Sequence, residues 1–522
     1  MALVKPFTIS DMDGNAHIFN SDRPSIICFV KEDCPTCRVA LPVISALFEG
    51  FSAYYDFYIA GQTSSGNKEI ISNFNPRFNV LDDSALKLSF EANIETVPTL
   101  LVTNAEGEIG RELIGFVKAE WKALLDEVLM RASSEDCEID WDGLPDWLPG
   151  CGSLSADPLH YDRLLAESTN NPIRARKLEL GSLDDQFEFM FDQGFSDGLP
   201  VIPPTPERVI DMLKGTERDS QEVVATMPPN MAPVTVEKIA INCVLAGCRP
   251  EYLPVVIASV EAVCTDDFNI HGVMATTMGA TPVLVVNGPI RKNISMNMGL
   301  GALGQGNRAN ATIGRALRLI IRNVGGAVPG GTERSTFGNP MKFTMCFAEW
   351  EEQSKWEPLQ VEKGFDLEDS TVTAFAMSGG PSLIIDETAS TGAELANTIG
   401  EATTTMLNAK AYGFSNCLIA VSPEHATTFA KDSFTKQQLR QVMHQSSEKT
   451  VADLISGTGF TPEQKQLYLE LGESTRLSKF ESDADINIVV AGSPAGKCTA
   501  FFHGWIPQKI GSVPVTRKIE MK

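Results

Sequence analysis

Histidine and long apolar stretches are scarce in this sequence. It holds six histidines in 522 residues, and no two of them lie within a few positions of each other. A zinc site built from neighbouring ligands is therefore excluded, whereas one assembled from distant ligands stays open. No apolar run reaches the roughly 18 residues that a membrane span needs, and the first ten residues lack the apolar core of a signal peptide. We expect a cytoplasmic protein, not membrane-bound, with no cofactor or metal.

Basic residues are also in deficit. The chain has 43 Lys and Arg against 67 Asp and Glu, which gives a formal charge of −24 and a pI of about 4.7. A surface of that charge repels phosphate backbones and anionic lipid head groups. Nucleic acids and acidic membranes are therefore excluded as partners. The length and the 43% hydrophobic content predict a globular protein of roughly two to four domains.

The eleven cysteines are an odd number spread over a long chain, which argues against a secreted disulfide scaffold and favours mostly reduced thiols. The chain has a single Cys-x-x-Cys pair, Cys34 and Cys37. A structural zinc site would need a second such pair. The pattern therefore favours reversible thiol–disulfide chemistry over a structural or zinc-binding role.

The first 130 residues alternate strand and helix patterns around this pair. Strands are predicted at 25–30, 57–60 and 79–81, and helices at 68–74, 85–92 and 118–131. Cys34-Pro35-Thr36-Cys37 follows one strand, and Val97-Pro98-Thr99 precedes another. These features resemble the thioredoxin superfamily in its peroxiredoxin-like and TlpA-like branch. The resemblance implies a thioredoxin fold over residues 1–132, in which Pro98 is a cis proline that faces the cysteine pair and contacts substrate.

Cys34 is expected at the N-terminus of a helix, where the positive end of the helix dipole favours a thiolate. It is then the attacking sulfur, and Cys37, one turn on, is the resolving thiol. Two departures from the thioredoxin pattern alter this site: Asp33 stands where an aromatic residue is usual, and Cys28 where a buried carboxylate is common. Cys28 is interpreted as a buried strand residue rather than a third redox thiol.

Residues 133–176 lose this periodicity and are interpreted as an ordered linker, rich in Ser, Asp, Glu, Pro and Gly. Its tryptophans, Trp141 and Trp147, are expected to anchor it to a domain surface. Its cysteines, Cys137 and Cys151, fit no ligand spacing and are assigned no chemistry.

Residues 177–522 are predicted to form a larger α/β domain, as one body or two subdomains. Strands are predicted there at 283–287, 417–421 and 486–491, and helices at 235–247, 311–323 and 390–407. Such alternation is typical of an α/β fold. The fold class is therefore α/β, with an N-terminal thioredoxin fold and a larger C-terminal α/β domain.

Cys248 is the main thiol candidate of this second domain. Gly247 marks the end of one helix and Pro250 the first turn of the next, which places Cys248 beside Arg249 at a positive helix end. The sequence leaves two roles open for Cys248, a functional thiol or a buried core residue. Cys243 is interpreted as a core residue. Arg249 is a candidate substrate-binding residue.

Other polar residues of the second domain are candidates for the same pocket. His271, among small residues before a strand, is a candidate general acid or base, with a structural role as the alternative. Asn307 and Arg308 open the helix that carries Arg315 and Arg318, so they are candidates for binding an anionic substrate, with a structural turn as the alternative. Gly299–Gly304 and 492–497 lack the context of nucleotide-binding loops and are rejected as such.

Five motifs of the second domain resemble a bacterial family of large proteins linked to UGSC-type (seleno)proteins. They are Asp197 to Thr205, Ala246 to Tyr252, His271-Gly272, Gly306 to Ala311 and Gly496-Lys497. The resemblance implies redox chemistry shared with a small protein that bears a reactive cysteine or selenocysteine.

Two hypotheses follow. In the first, the chain is a thiol-dependent oxidoreductase whose Cys-x-x-Cys module exchanges electrons with a thiol or a small, anionic substrate at the large domain. In the second, the large domain is a docking scaffold that brings the oxidoreductase to a thiol or disulfide partner protein. A deep polar pocket favours the first, and a flat apolar face favours the second.

Overall fold

The computed structural model describes residues 4–19, 23–74, 76–132, 139–169, 171–178, 185–406, 408, 410–456, 459–506 and 511–521. The chain divides into two compact units, Met1–Glu179 and Leu180–Lys522. The predicted linker, 133–176, therefore belongs to the first unit. Among the described residues, no helix combines the length and the apolar character that crossing a membrane requires.

The first unit alternates strands and helices. Its strands are β1 (Phe7–Ser10), β2 (Ala16–Phe19), β3 (Ser25–Val30), β4 (Asp56–Gly61), β5 (Val80–Asp82), β6 (Thr96–Val97), β7 (Thr99–Thr103), β8 (Ile109–Ile114), β9 (Phe116–Val117), β10 (Trp147–Leu148) and β11 (Cys151–Gly152). Its helices are α1 (Pro35–Phe51), α2 (Ser64–Phe74), α3 (Lys87–Glu91), α4 (Lys118–Ala132) and α5 (Pro158–Ser168).

A five-stranded sheet in the order β5-β4-β3-β7-β8 forms the centre of the described part of this unit. Strands β3, β4 and β5 run parallel, and β7 and β8 are antiparallel to their neighbours. β3 is buried along its whole length, as expected for a central strand covered on both faces. A parallel βαβ unit that contains α1, followed by an antiparallel hairpin and the helix α4, is the thioredoxin fold. The predicted fold of residues 1–132 is therefore confirmed.

The second unit is also α/β. Its strands are β12 (Val223–Met227), β13 (Ala232–Thr235), β14 (Thr281–Asn287), β15 (Cys346–Ala348), β16 (Thr371–Ile385), β17 (Cys417–Val421), β18 (Lys449–Thr450), β19 (Arg476–Leu477), β20 (Ile486–Val490), β21 (Cys498–Gly504) and β22 (Val515–Lys518). Its helices are α6 (Gln186–Asp192), α7 (Pro206–Leu213), α8 (Val236–Ala246), α9 (Leu253–Val263), α10 (Ile270–Ala275), α11 (Ile290–Asn293), α12 (Arg308–Asn323), α13 (Leu359–Glu362), α14 (Gly392–Met406), α15 (Pro423–Lys431), α16 (Lys436–Ser446), α17 (Val451–Ile455) and α18 (Pro462–Glu470).

A mixed sheet runs through the described part of this unit in the order β15-β14-β16-β21-β17-β20, with β22 paired to β16. The long strand β16 makes this arrangement possible, because its first half pairs with β14 and β22 and its second half with β21. Strands β14, β17 and β20 are buried at every position. Within the part of the unit that the structure describes, apolar clusters pack against this sheet.

Candidate functional site

Cys34 lies where the sheet of the first unit meets its first helix. The chain leaves β3 and turns, with the Cys34 amide donating to the Lys31 carbonyl at 3.3 Å. Cys34 is the N-cap of α1, and its sulfur accepts from the Cys37 amide at 3.4 Å. Pro35 occupies the first helical position, where its missing N–H costs nothing. The expected helix-end position of Cys34 is confirmed.

Two thiols with opposite electrostatics result. Hydrogen bonding from the Cys37 thiol, from the Cys151 thiol and from the amides of Cys37 and Thr36 lowers the pKa of Cys34 to about 5, against an opposing effect of burial. Burial raises the pKa of Cys37, and the neighbouring Cys34 raises it further. At neutral pH Cys34 is therefore the thiolate and Cys37 the thiol, the pairing that an attacking and a resolving cysteine need.

Pro98 lies beside this pair, as predicted. The Val97–Pro98 peptide bond is cis. The carbonyl oxygen of Val97 lies 3.4 Å from Cys34 Sγ, so the loop that holds Pro98 contacts this sulfur. The role of Pro98 in substrate binding stays a prediction.

Cys151 lies beside this pair, a position that the sequence analysis did not predict. β11 pairs antiparallel with β6, with Cys151 directly opposite Val97, whose carbonyl oxygen lies 3.4 Å from Cys34 Sγ. Burial and the Cys34 thiolate raise the pKa of Cys151 to about 11, so Cys151 is the proton donor of the pair. The sequence analysis assigned no chemistry to Cys151, and a role for it is left to the proposals below, whereas Cys137 lies outside the described residues.

The segment 147–155 is held over the cysteine pair by polar contacts along its length. The Thr36 hydroxyl donates to the Pro149 carbonyl. The side-chain amide of Gln62 donates to the Ser153 hydroxyl at 2.6 Å and accepts from the Leu154 amide at 3.0 Å. Under this segment the Cys34 side chain has no solvent-exposed surface, whereas Cys151 is half-buried.

The two departures from the thioredoxin pattern lie in different environments. The Asp33 side chain is 67% exposed and forms an ion pair with Lys31 at 3.3 Å, so solvent and Lys31 screen its charge. Cys28 is fully buried in β3, and burial raises the pKa of its thiol. The interpretation of Cys28 as a buried strand residue is confirmed.

Cys248 does not lie at the start of a long helix, contrary to the sequence prediction. A 3₁₀ turn, Pro250–Tyr252, separates it from α9. Instead, the Cys248 amide donates to the Cys243 carbonyl at 2.8 Å and completes the C-terminal cap of α8. Its buried thiol donates to the Thr312 carbonyl at 3.4 Å, and Arg249 is exposed.

The structure brings Arg308 to Cys248. The Arg308 guanidinium donates to the carbonyls of Gly247 and Cys248 at 2.8 and 3.3 Å. Asn307 caps α12, accepting from the Asn310 amide at 3.0 Å. His271 is exposed in the first turn of α10, and among the described residues no hydrogen bond joins it to Cys248. A pocket shared by Cys248 and His271 therefore stays a prediction.

A cavity of about 750 Å³ opens elsewhere in the second unit. Its charged lining consists of four cations and two carboxylates, Arg318, Arg322, Arg334, Lys342, Asp197 and Glu333. Both carboxylates are already engaged: Asp197 pairs with Arg315 at 2.8 Å, and Glu333 pairs with Lys342 at 2.7 Å. The cavity therefore carries surplus positive charge in a strongly acidic protein.

Comparisons with known proteins find likenesses in solved structures, and the structures named below align with the N-terminal quarter of the chain. StoA from Bacillus subtilis is 24% identical, with 24% of this chain and 98% of that chain covered and a TM-score of 0.22. A putative thiol:disulfide interchange protein DsbE from Chlorobium tepidum is 15% identical, with 24% and 94% covered and a TM-score of 0.23.

A third such structure is a secreted Mycobacterium tuberculosis disulfide oxidoreductase homologous to E. coli DsbE. It is 17% identical, with 24% of this chain and 95% of that chain covered and a TM-score of 0.21. No protein-family model matches the chain. A search of curated proteins finds no match either.

Proposed function

We propose that this protein is a thiol–disulfide oxidoreductase in which Cys34 attacks and Cys37 resolves. The observation that carries the proposal is the arrangement of Cys34 as the N-cap of α1, hydrogen-bonded by the Cys37 amide and thiol. A thiolate held this way is nucleophilic at neutral pH. The reduction of a small-molecule disulfide by the wild-type protein and by Cys34→Ser tests it.

In the proposed reaction the Cys34 thiolate attacks one sulfur of a partner disulfide, forming a mixed disulfide and releasing the other sulfur as a thiolate. Cys37 then loses its proton and attacks Cys34 Sγ, so the Cys34–Cys37 bond forms and the second partner thiolate leaves. Two protein thiols are oxidised and one partner disulfide is reduced to two thiols. With a thiol partner, the same steps run in reverse.

The partner is a thiol or disulfide protein, and we include a small UGSC-type (seleno)protein in that class because of the motifs in residues 190–522. A selenol or thiol of such a protein would form the mixed bond with Cys34. We place the reaction in the cytoplasm, whose reducing poise keeps unpaired cysteines as thiols.

For the second unit we propose a small anionic substrate, bound in the cavity that contains Arg322 and Arg334. Arg322 Nε is buried there without a hydrogen-bond partner, and a buried, unsatisfied donor favours binding of an acceptor. A cavity with convergent cations favours the enzyme hypothesis over the flat docking face of the alternative. We assign anion binding to this cavity rather than to Asn307 and Arg308, the residues that the sequence suggested. Arg308 donates to a backbone carbonyl and Asn307 caps α12.

Removing either arginine of the cavity is expected to weaken anion binding. Arg322→Ala or Arg334→Ala should raise the dissociation constant for inorganic phosphate or a small dicarboxylate about tenfold, because a hydrogen bond to a charged group contributes about 1.5–3 kcal/mol. Titration calorimetry on the full chain measures it. Lys431→Ala is the matched control, since it removes an exposed cation of α15 that does not line the cavity. An equal loss in Lys431→Ala, or no binding by the wild type, would contradict an anion site.

A further inference from the structure

Three sulfurs, those of Cys34, Cys37 and Cys151, converge at one end of the first unit. The Cys37 amide donates to Cys34 Sγ at 3.4 Å. Cys34 Sγ also lies 3.4 Å from the carbonyl oxygen of Val97, the residue directly opposite Cys151 in the β6–β11 pair. Cys37 comes from the same helix, whereas Cys151 arrives from a remote part of the chain. Because thiol–disulfide exchange needs only a thiolate next to a disulfide sulfur, the central sulfur has two neighbours with which it can form a bond.

The segment that carries Cys151 lies where an extended partner peptide would bind. β6 leads into the cis peptide bond beside Cys34. The edge of such a strand can pair with an added strand, as sheet edges do in peptide recognition. In this chain β11 fills that edge, with Gly152 opposite Thr96 and Cys151 opposite Val97. The chain thus presents one of its own cysteines to Cys34 in the manner of a bound peptide.

Local sequence makes this close approach possible. A Cβ on Gly150 would lie 2.1 Å from Thr96 Cγ2 and 2.9 Å from the Val97 carbonyl oxygen, so only glycine allows the segment to approach β6 this closely. Lys31 Nζ donates to the Gly152 carbonyl at 3.4 Å, which ties the other side of Cys151 to the turn before α1. The glycine at 150 and the hydrogen bond from Lys31 therefore fix the position of Cys151 beside β6.

We propose that Cys151 is a second exchange partner of Cys34 and forms a Cys34–Cys151 disulfide within the chain. This proposal rests on the proposed function, because it needs Cys34 as the exchanging sulfur. Starting from the Cys34–Cys37 disulfide, Cys151 loses its proton and attacks Cys34 Sγ. The Cys34–Cys151 bond forms, the Cys34–Cys37 bond breaks, and Cys37 leaves as a thiolate that takes up a proton. Cys151 is oxidised and Cys37 is reduced, with no external reactant.

Cys34 and Cys151 differ in solvent exposure, and this difference suits the proposed exchange to reaction with a partner. Cys34 has no exposed surface under the segment, whereas Cys151 is half-buried. A partner thiolate can attack the accessible Cys151 sulfur of the Cys34–Cys151 disulfide, with Cys34 as the leaving group. A thiol of low pKa leaves fastest, and Cys34 has a pKa of about 5. Cys151 therefore carries disulfide exchange from the covered pair to the surface.

The test removes Cys37, so that Cys151 is the remaining neighbour of Cys34. The full-length Cys37→Ser variant is treated with oxidised glutathione, quenched with acid and mapped by proteolysis and mass spectrometry. The expected product is a peptide pair linked through Cys34 and Cys151, with glutathione-bound Cys34 at least about tenfold less abundant than in Cys37→Ser/Cys151→Ser. The reason is that a tethered thiol has an effective concentration of millimolar or more.

Cys37→Ser/Cys498→Ser is the matched control, because Cys498 is also a half-buried cysteine but belongs to the second unit. It should form the Cys34–Cys151 link to the same extent as Cys37→Ser. A second double variant, Cys37→Ser/Cys151→Ala, guards against a folding defect of the serine variant, and it should accumulate the same glutathione adduct.

Stable glutathione on Cys34 in Cys37→Ser, equal to that in the two double variants that lack Cys151, would overturn the role of Cys151 and leave the proposed function intact. A Cys34 that takes up no glutathione in any variant would overturn both. The two failures are therefore distinguishable.

Discussion

Replacing Cys34 by serine is expected to abolish reduction of a small-molecule disulfide, lowering kcat/KM at least about a thousandfold. The reason is the loss of the nucleophile: a serine hydroxyl does not ionise near neutral pH, whereas the Cys34 thiol has a pKa of about 5, and activated nucleophiles carry most of the rate in covalent catalysis. Turnover measured with dithiothreitol as the electron donor reports the loss.

Cys498→Ser is the control for that experiment, since it removes a half-buried thiol of the second unit and should keep full turnover. Activity of Cys34→Ser within a few-fold of the wild type would show that another thiol attacks the substrate. The Cys37→Ser/Cys151→Ser variant should still form the mixed disulfide on Cys34, because the attacking sulfur is kept and both neighbouring thiols that could resolve it are removed.

Substituting Gly150 by alanine is expected to lift the segment 147–155 from the cysteine pair. The new Cβ would overlap Thr96 and the Val97 carbonyl, and overpacking of this kind costs about 1–3 kcal/mol. The rate at which a bulky maleimide labels Cys34 at mildly alkaline pH should rise about tenfold or more, because the covered sulfur becomes accessible.

Gly152→Ala is the matched control, since it adds the same methyl group two residues away, where no atom lies within 4 Å of the new Cβ. Its labelling rate should equal that of the wild type. If Gly150→Ala also labels at the wild-type rate, the segment does not restrict access to Cys34.

The geometry of the Cys34–Cys37 pair could be predicted from the sequence because it is local. Cys34, Pro35 and Cys37 lie within one helical turn, so strand, cap and helix follow from the order of a few residues. The same holds for the strand at 417–421, whose apolar run coincides with the observed β17. Residue types and spacing suffice where the chemistry depends on neighbours along the chain.

Cys151 could not be predicted because its partner is remote in the sequence. Its contact with Cys34 depends on the pairing of two-residue strands, β6 and β11, and so short a strand has no periodicity to detect. The one local signal was the pair of glycines that flank Cys151, which permits a close backbone approach. Spacing between cysteines, the criterion applied to the sequence, carries no information about such a contact.

The predicted position of Cys248 shows the opposite error, because a local sequence pattern was used to place it at the start of the next helix. Gly247 does end α8 in a left-handed conformation (φ +87°), as predicted. Cys248, however, caps the helix behind it rather than starting the helix ahead, because its amide bonds back to Cys243. Arg308 reaches this turn from α12 by a tertiary contact, in which its guanidinium donates to the carbonyls of Gly247 and Cys248.

The central claim, that Cys34 is the attacking thiolate, is tested most directly by alkylating the reduced protein at mildly acidic pH. A small reagent such as iodoacetamide is added in limiting amount, and the labelled peptides are mapped by mass spectrometry. The account predicts that Cys34 is labelled first and that its labelling rate falls as the pH is lowered through about 5, because only the thiolate reacts. Faster labelling of Cys37, or a Cys34 rate that rises only near the ordinary thiol pKa of about 8.5, would contradict it.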